Sequence, residues 1–207
     1  RDQGRHDAGR HDVGRHDDLP PEPSEPSEPL EPPGHEVVDV PAGLHRPNPK
    51  DRSLSVEREA LQLALQHPDL VVDGYPQVRA EAYTDATYAI LHEAIMAAGG
   101  PPGDGAKTAW VETVAGHLPA GPLRSLVTEL AVEPPPIRPD AVNAGYAGAI
   151  LARMAERVAA ADERTLRSAL QRAESAGEQE RVLALHADLV AVANYRRALG
   201  DRARGEA

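Results

Sequence analysis

The sequence predicts an all-α protein, in which a multi-helix bundle is followed by a long connecting helix and a C-terminal antiparallel helical hairpin. From residue 53 onward, apolar residues recur at the three- and four-residue spacing of amphipathic helices. Pro and Gly separate the first of these segments, and no alternating strand pattern competes with them. Short helices of this kind are not stable alone in water, so we expect them to pack together as one bundle.

Composition divides the chain into three regions. Residues 1–52 are expected to form a disordered linker rich in Pro and Glu, because residues 1–50 hold 10 of the 20 prolines and few apolar side chains. Residues 53–139 form the predicted bundle, and residues 140–207 form the predicted connecting helix and hairpin. The first residue is Arg rather than Met, which suggests a fragment of a longer protein.

The predicted linker opens with three Gly-Arg-His-Asp units at a five-residue period, between residues 4 and 17. A metal site requires several ligands that converge on one ion, whereas the alternating Pro and Glu of residues 19–34 favour an extended chain. We therefore interpret the repeats as linker rather than as a metal site. The absence of cysteine excludes disulfides and thiolate zinc sites, and no apolar run approaches the roughly 18 residues of a membrane helix. A cytoplasmic protein without membrane association is expected.

Helix start signals delimit the bundle helices. N-caps are predicted at Ser53 or Ser55 for the first helix, at Thr84 for the second and at Thr108 for the third, because their hydroxyls can accept a free backbone N–H. Pro122 is expected to open the fourth helix.

The C-terminal region has the pattern of a helical hairpin. Asp140 is the predicted cap of the connecting helix, and Gly177 is the predicted break between the two arms. A heptad seam is expected to join the arms. On the first arm its residues are Leu151, Met154, Val158, Ala161, Thr165 and Ala169. On the second arm they are Val182, Leu185, Leu189, Val192, Arg196 and Leu199.

The last helix also carries a second apolar stripe, which its hairpin partner does not cover. Leu183, Ala187 and Val190 form it, and it continues into Asn194 and Arg197. The stripe ends near "NYRR", and Tyr and Arg are enriched among the residues that anchor protein interfaces. We interpret the stripe as an interface with another protein; the alternative is packing against the bundle.

Catalytic motifs are not found in the sequence. It has no phosphate-binding Gly-rich loop, no HExxH motif and no Cys nucleophile. Carboxylates are expected on solvated helix surfaces, His92 and the other helical histidines at helix ends or on the surface, and Trp110 in the core. The fragment is therefore predicted not to be an enzyme and to hold no cofactor.

The ordered segments resemble the C-terminal helicase-binding domain of bacterial DnaG-type DNA primases. The resemblance covers residues 53–204 and rests on "SVEREALQLALQHPDL", "ILHEAIMAA", "LRSLVTELAVE" and the closing "LHADLVAVANYRRAL". It includes Glu57, Arg58, Leu61, Leu65 and Pro68 at the start of the bundle. Residues 1–52 have no counterpart in it.

This resemblance implies a non-catalytic domain that docks on the N-terminal domain of the DnaB-type replicative helicase and recruits primer RNA synthesis to the replication fork. It also implies a parent DNA primase, a nucleotidyltransferase whose zinc- and magnesium-dependent domains lie upstream. Carried over by position, the helicase-docking residues are on the last helix: Leu183, His186, Val190, Asn194, Tyr195, Arg196 and Arg197.

Members of this family can also bind the acidic tail of single-strand-binding protein through a basic groove on the bundle. Here residues 53–140 hold 5 basic and 12 acidic side chains, a net charge of −7, which argues against that role and against direct nucleic-acid binding. Three alternatives remain open. They are an N-terminal domain of the helicase itself, a small-molecule-binding helical regulator and a coiled-coil scaffold.

Overall fold

The computed structural model describes residues 45–103 and 107–204, which form six α-helices joined by turns and short 3-10 segments and contain no strand. The bundle helices are α1 (Ser55–Gln66), α2 (Ala86–Ala97), α3 (Lys107–Gly116) and α4 (Pro122–Val132). The hairpin consists of α5 (Ala144–Ala176) and α6 (Gln179–Arg204). The all-α prediction is therefore confirmed, and α5 serves both as the connecting helix and as the first arm of the hairpin. The Gly-Arg-His-Asp repeats lie outside the described residues.

The hydrophobic core lies where the apolar faces of α1 to α4 meet the N-terminal half of α5. Its fully buried side chains include Leu61, Leu65, Tyr88, Leu91, Ile95, Leu130, Ile150 and Met154. Trp110 is buried as predicted, and its Nε1 donates a 2.9 Å hydrogen bond to the Ala64 carbonyl oxygen. Because Ile150 and Met154 belong to this core, the bundle holds the base of the hairpin.

Several predicted helix caps are wrong. No side chain caps α1, and Thr108 lies inside α3 rather than before it. Asp85 caps α2 in place of Thr84, because its carboxylate accepts hydrogen bonds from two backbone N–H groups of the first turn. Asn143 caps α5 in place of Asp140, because its side-chain oxygen accepts a 3.0 Å hydrogen bond from the backbone N–H of Tyr146.

The chain already packs against the bundle before residue 53. Pro47 is buried, and Thr87 Oγ1 donates a 2.8 Å hydrogen bond to the His45 carbonyl oxygen. Arg46 forms an ion pair with Glu129 of α4. Residues 45–52, which the composition assigns to the linker, therefore belong to the folded unit.

The hairpin turns at Gly177, as predicted, with a left-handed backbone (φ 72°) that favours glycine. Helix α6 packs principally on α5. The predicted seam on α6 is confirmed by burial. Five of its residues are half-buried and Leu199 is fully buried.

The predicted seam on α5 is wrong. Leu151, Met154 and Val158 pack into the bundle core, while Ala161 and Thr165 are exposed. The side chains that form a cluster with Leu199 of α6 are instead Ala152 and Ala159. Helix α5 buries one face against the bundle and another against α6. The single heptad pattern predicted for α5 assigned residues of the bundle-facing side to the contact with α6.

Candidate functional site: the outer face of α6

One side of α6 points away from α5 and carries apolar residues that are exposed to solvent. We term this side the α6 outer face; its residues are Leu183, His186, Ala187, Val190, Asn194 and Arg197. Their spacing of three and four positions places them on one side of a helix with 3.6 residues per turn. Leu183 is 70% exposed and Val190 is 61% exposed. Large apolar side chains that line up in this way indicate a contact surface.

Five of the seven predicted docking residues lie on the α6 outer face. Tyr195 is also well exposed, at 51%, but it lies about 100° around the helix from Asn194. A line of exposed alanines lies between Asn194 and Tyr195 around the helix. The sequence analysis did not identify these residues, which are Ala184, Ala191 and Ala198. Their seven-residue spacing is the signal that could have identified them. These small side chains make the apolar surface continuous as far as Tyr195.

Arg196 is the exception, because it turns toward α5 rather than toward solvent. Its Nε lies 3.1 Å from Glu156 Oε1, and its Nη1 donates to Glu163 Oε2. Glu163 is only 6% exposed and also pairs with Arg167 on its own helix. We term these four residues the α5–α6 ion cluster. Hydrogen bonds from Arg196 are the main cause that lowers the pKa of Glu163, and the two carboxylates raise the pKa of Arg196.

The basic side chains of the bundle are largely occupied by internal partners. Arg58 is buried and donates to the carboxylates of Glu129 and Glu133, at 3.1 Å and 3.0 Å. Arg79 forms a 3.1 Å ion pair with Asp162 of α5. Arg58 is therefore committed to the packing of the helices, whereas Arg79 remains about half exposed in a surface ion pair.

A cleft of about 320 Å³ lies between the segment before α1 and the start of α4. Its walls are mainly apolar and include Pro122, Leu123 and Leu126. The ionisable groups at its rim, His45 and Arg46, are largely exposed. Because its polar groups do not converge on an enclosed position, this cleft lacks the features of a small-molecule site.

The fold and its exposed face define a class: a helical protein–protein interaction module, in which a compact bundle supports a hairpin with one unpartnered apolar side. None of the described helices combines the length and the hydrophobicity that crossing a bilayer requires.

Comparison with known proteins identifies the family. The sequence matches, over residues 57–185, the family described as DNA primase DnaG DnaB-binding, and the chain belongs to this family. It is 32% identical over 166 residues to the DNA primase of Mycolicibacterium smegmatis, an alignment that covers 80% of this chain and 26% of that protein. It is 31% identical over 151 residues to the DNA primase of Streptomyces coelicolor, covering 72% and 24%. The chain therefore spans about a quarter of the length of these primases.

A solved structure shows the same fold. The helicase binding domain of primase from Mycobacterium tuberculosis matches with a TM-score of 0.65 and 31% sequence identity, covering 74% of this chain and 94% of that chain. The resemblance described from the sequence is thus confirmed at the level of family and fold. Most of the α6 outer face, from His186 onward, lies beyond the end of the family match at residue 185.

Proposed function

We propose that this domain docks on the N-terminal domain of the DnaB-type replicative helicase through the α6 outer face, and that it performs no chemistry itself. In the full-length cytoplasmic protein it would hold the primer-synthesising domains of a DNA primase at the replication fork. The observation that carries the proposal is the exposure of Leu183 and Val190 on a hairpin that the bundle supports, in a chain of the DnaB-binding family.

The hydrophobic effect provides the driving force for this contact. Transfer of a large aliphatic side chain from water into an interface stabilises a complex by roughly 1.5–3 kcal/mol when burial is complete. Leu183 and Val190 retain most of this potential in the free domain because neither is covered by α5. Tyr195 and Arg197, both exposed, are of the residue types that most often anchor interfaces.

Docking by a separate domain also explains how a contact without catalytic groups can increase primer synthesis. A primase attached to the helicase meets its template in an intramolecular encounter, with an effective concentration that depends on the reach of the intervening chain. The contact itself needs only modest affinity. Its charged rim, which includes Arg197, is expected to make association faster at low salt.

A paired substitution tests the proposal. Leu183→Asp combined with Val190→Asp places two charges in the proposed interface and is expected to weaken binding to the cognate helicase N-terminal domain by about 100-fold, since each residue contributes on the order of tenfold. Isothermal titration calorimetry measures the affinity. Val132→Asp is the matched control, because Val132 is 77% exposed on α4 of the bundle, and it should leave the affinity unchanged. Unchanged affinity of the folded double variant would refute the assignment.

We do not extend the proposal to the acidic tail of single-strand-binding protein. Arg58 is buried against carboxylates, Arg124 Nε donates to the Leu118 carbonyl oxygen at 2.8 Å, and the exposed Arg79 already pairs with Asp162. A basic groove for an acidic peptide would need such side chains to be free.

A further inference from the structure

We infer that Arg196 is a positioning residue for helicase binding: its ion pairs with Glu156 and Glu163 fix the rotation of α6 about its own axis and so determine which side of α6 faces the partner. The inference rests on the proposed function, because it concerns how that function's binding surface is presented. It assigns Arg196 a role different from the direct docking role that the sequence resemblance implies.

Apolar packing between α5 and α6 specifies this rotation only weakly. Leu199 is the one buried residue among the described residues of α6, and it packs on the methyl groups of Ala152 and Ala159. Toward the tip of the hairpin, the α6 side of the seam is only half-buried. The alanines opposite Leu199 form shallow holes, and a rotated α6 would bury the exposed Leu183 and Val190 in place of half-buried seam residues, so neighbouring rotations can bury similar apolar area.

The sequence also offers a specific competing arrangement. Arg197 follows Arg196 directly, and a rotation of α6 by one residue, about 100°, would bring Arg197 toward the carboxylates of α5. The α6 outer face would then turn by the same angle, and Leu183 and Val190 would no longer present the same surface to a partner. The side of α6 that faces outward therefore depends on which of these two neighbouring arginines engages the carboxylates.

The α5–α6 ion cluster has the directionality that apolar packing lacks. Glu156 and Glu163 lie two turns apart on the same side of α5, and Arg196 donates to both of them. Nε and Nη2 of Arg196 both donate to Glu156, while Nη1 donates to Glu163. A planar guanidinium that engages two carboxylates in this way tolerates little change in angle.

Loss of this arrangement would leave a nearly buried carboxylate with a single partner. Glu163 is held from one side by Arg167 of α5 and from the other by Arg196 of α6. A rotation of α6 by less than one residue would leave this poorly solvated group with Arg167 alone, which is unfavourable, and a full one-residue step would have to replace Arg196 by Arg197, displaced by about 1.5 Å along the helix axis. The ion pair with the nearly buried Glu163 can thus select one arrangement even where it adds little to the total stability.

The test separates the orientation of α6 from helicase binding. Because the chain has no native cysteine, Ser168→Cys on α5 and Ala187→Cys on α6, both at exposed positions, provide the only two attachment sites for spin labels. Pulsed electron spin resonance then measures the distance distribution between the labels. In this background we expect Arg196→Met to shift or broaden the distribution, and Glu163→Gln to do so to a smaller extent.

Binding of the unlabelled variants to the helicase N-terminal domain gives the second readout. If the competent orientation falls to about a tenth of the molecules, the apparent affinity falls about tenfold. Arg181→Met is the matched control, because Arg181 is exposed on α6 and pairs only with the nearby Glu178, at 3.2 Å. It should change neither the distance nor the affinity. Trp110 fluorescence melting confirms in each variant that the bundle is folded.

Two results would overturn the inference. Weaker binding of Arg196→Met with an unchanged label distance would show that Arg196 contacts the helicase directly. An unchanged distance together with unchanged binding would show that it has neither role. The failure of the proposed function is a different result, namely full binding by the Leu183→Asp, Val190→Asp double variant, and the label distance would still test the orientation of α6.

Discussion

Arg157 of α5 donates a 2.6 Å hydrogen bond to Oε1 of Glu57, a carboxylate of α1 that is completely buried. Thr84 Oγ1 donates to the same oxygen at 2.6 Å, and the backbone N–H of Asp85 donates to Oε2 at 3.3 Å. One buried carboxylate therefore connects α1, the start of α2 and α5. It joins the bundle to the helix that carries the hairpin.

Removal of the charged partner of Glu57 should destabilise the domain. Arg157→Ala leaves a buried carboxylate that retains only hydrogen bonds, and we expect the free energy of unfolding to fall by about 2–3 kcal/mol. Urea denaturation followed by the fluorescence of the only tryptophan measures this change. Arg153→Ala, one turn earlier at an exposed position of α5, should change stability by less than about 0.5 kcal/mol. Equal losses in both variants would contradict a specific role for the ion pair.

The positions of the helices could be predicted from the sequence because they follow from local periodicity. Contacts such as Glu57 with Arg157 could not, because they join residues 100 positions apart. A glutamate in the first turn of a helix is usually explained by the helix dipole. The N-cap of α2 was predicted wrongly for a related reason. Thr84 and Asp85 are neighbours that can both cap a helix, but Thr84 forms a long-range hydrogen bond with Glu57, so Asp85 caps α2.

The candidate site shows the same division between local and distant information. The exposure of Leu183 and Val190 follows from the width of the apolar stripe, which exceeds what one neighbouring helix can cover. The orientation of Arg196 depends on Glu156 and Glu163, 40 and 33 positions away. On α5, the hydropathy pattern cannot separate the face that packs on the bundle from the face that packs on α6.

Burial of His92 predicts a loss of stability in acid. The imidazole was expected at a helix end or on the surface, but it lies in the core between Tyr75 and Tyr83, with ring centroids 5.2 Å and 5.0 Å away. Among the residues that the structure describes, none forms a hydrogen bond with its Nδ1. Desolvation lowers the pKa of His92 to about 4, although the Val78 backbone and Glu81 act in the opposite direction. The unfolded chain, with a histidine pKa of about 6.5, therefore binds the proton first as the pH falls.

Because the unfolded state binds this proton more tightly, the contribution of neutral His92 to the free energy of unfolding is fully present above pH 6.5. It declines as the pH falls from about 6.5 to about 4, by up to about 3 kcal/mol in total. Denaturation curves at pH 7 and pH 5 measure the difference. His92→Phe keeps an aromatic ring between the tyrosines and should reduce this dependence, whereas His117→Gln at an exposed position should preserve it. An unaltered pH dependence in His92→Phe would assign the effect to other groups.

Close packing at Gly74 predicts a steric penalty for any side chain there. A Cβ atom at this position would lie 2.8 Å from Leu151 Cδ1, closer than van der Waals contact allows. Leu151 is buried in the core, so it can adjust only by disturbing its neighbours. We expect Gly74→Ala to lower the free energy of unfolding by about 1–2 kcal/mol.

A double-mutant cycle checks this cause. With Leu151→Ala already present, Gly74→Ala should cost clearly less, which gives a favourable coupling between the two substitutions. Gly116→Ala is a control, because a Cβ at Gly116 would meet nothing within 4 Å. A penalty at Gly74 that is independent of Leu151 would point to the backbone instead.

Deletion of residues 178–207 should separate the stability of the bundle from that of the hairpin. The contacts of α5 with the bundle core end at Val158, and beyond Glu163 its main neighbour is α6. Without α6, we expect residues 164–176 to lose protection against amide hydrogen exchange, because an isolated helical end of this length is marginal in water. The melting transition reported by Trp110 should persist, and helicase binding should be lost. If the Trp110 transition also disappears, α6 is needed for the stability of the bundle. Loss of helicase binding in the deletion variant would then reflect unfolding rather than removal of the docking surface.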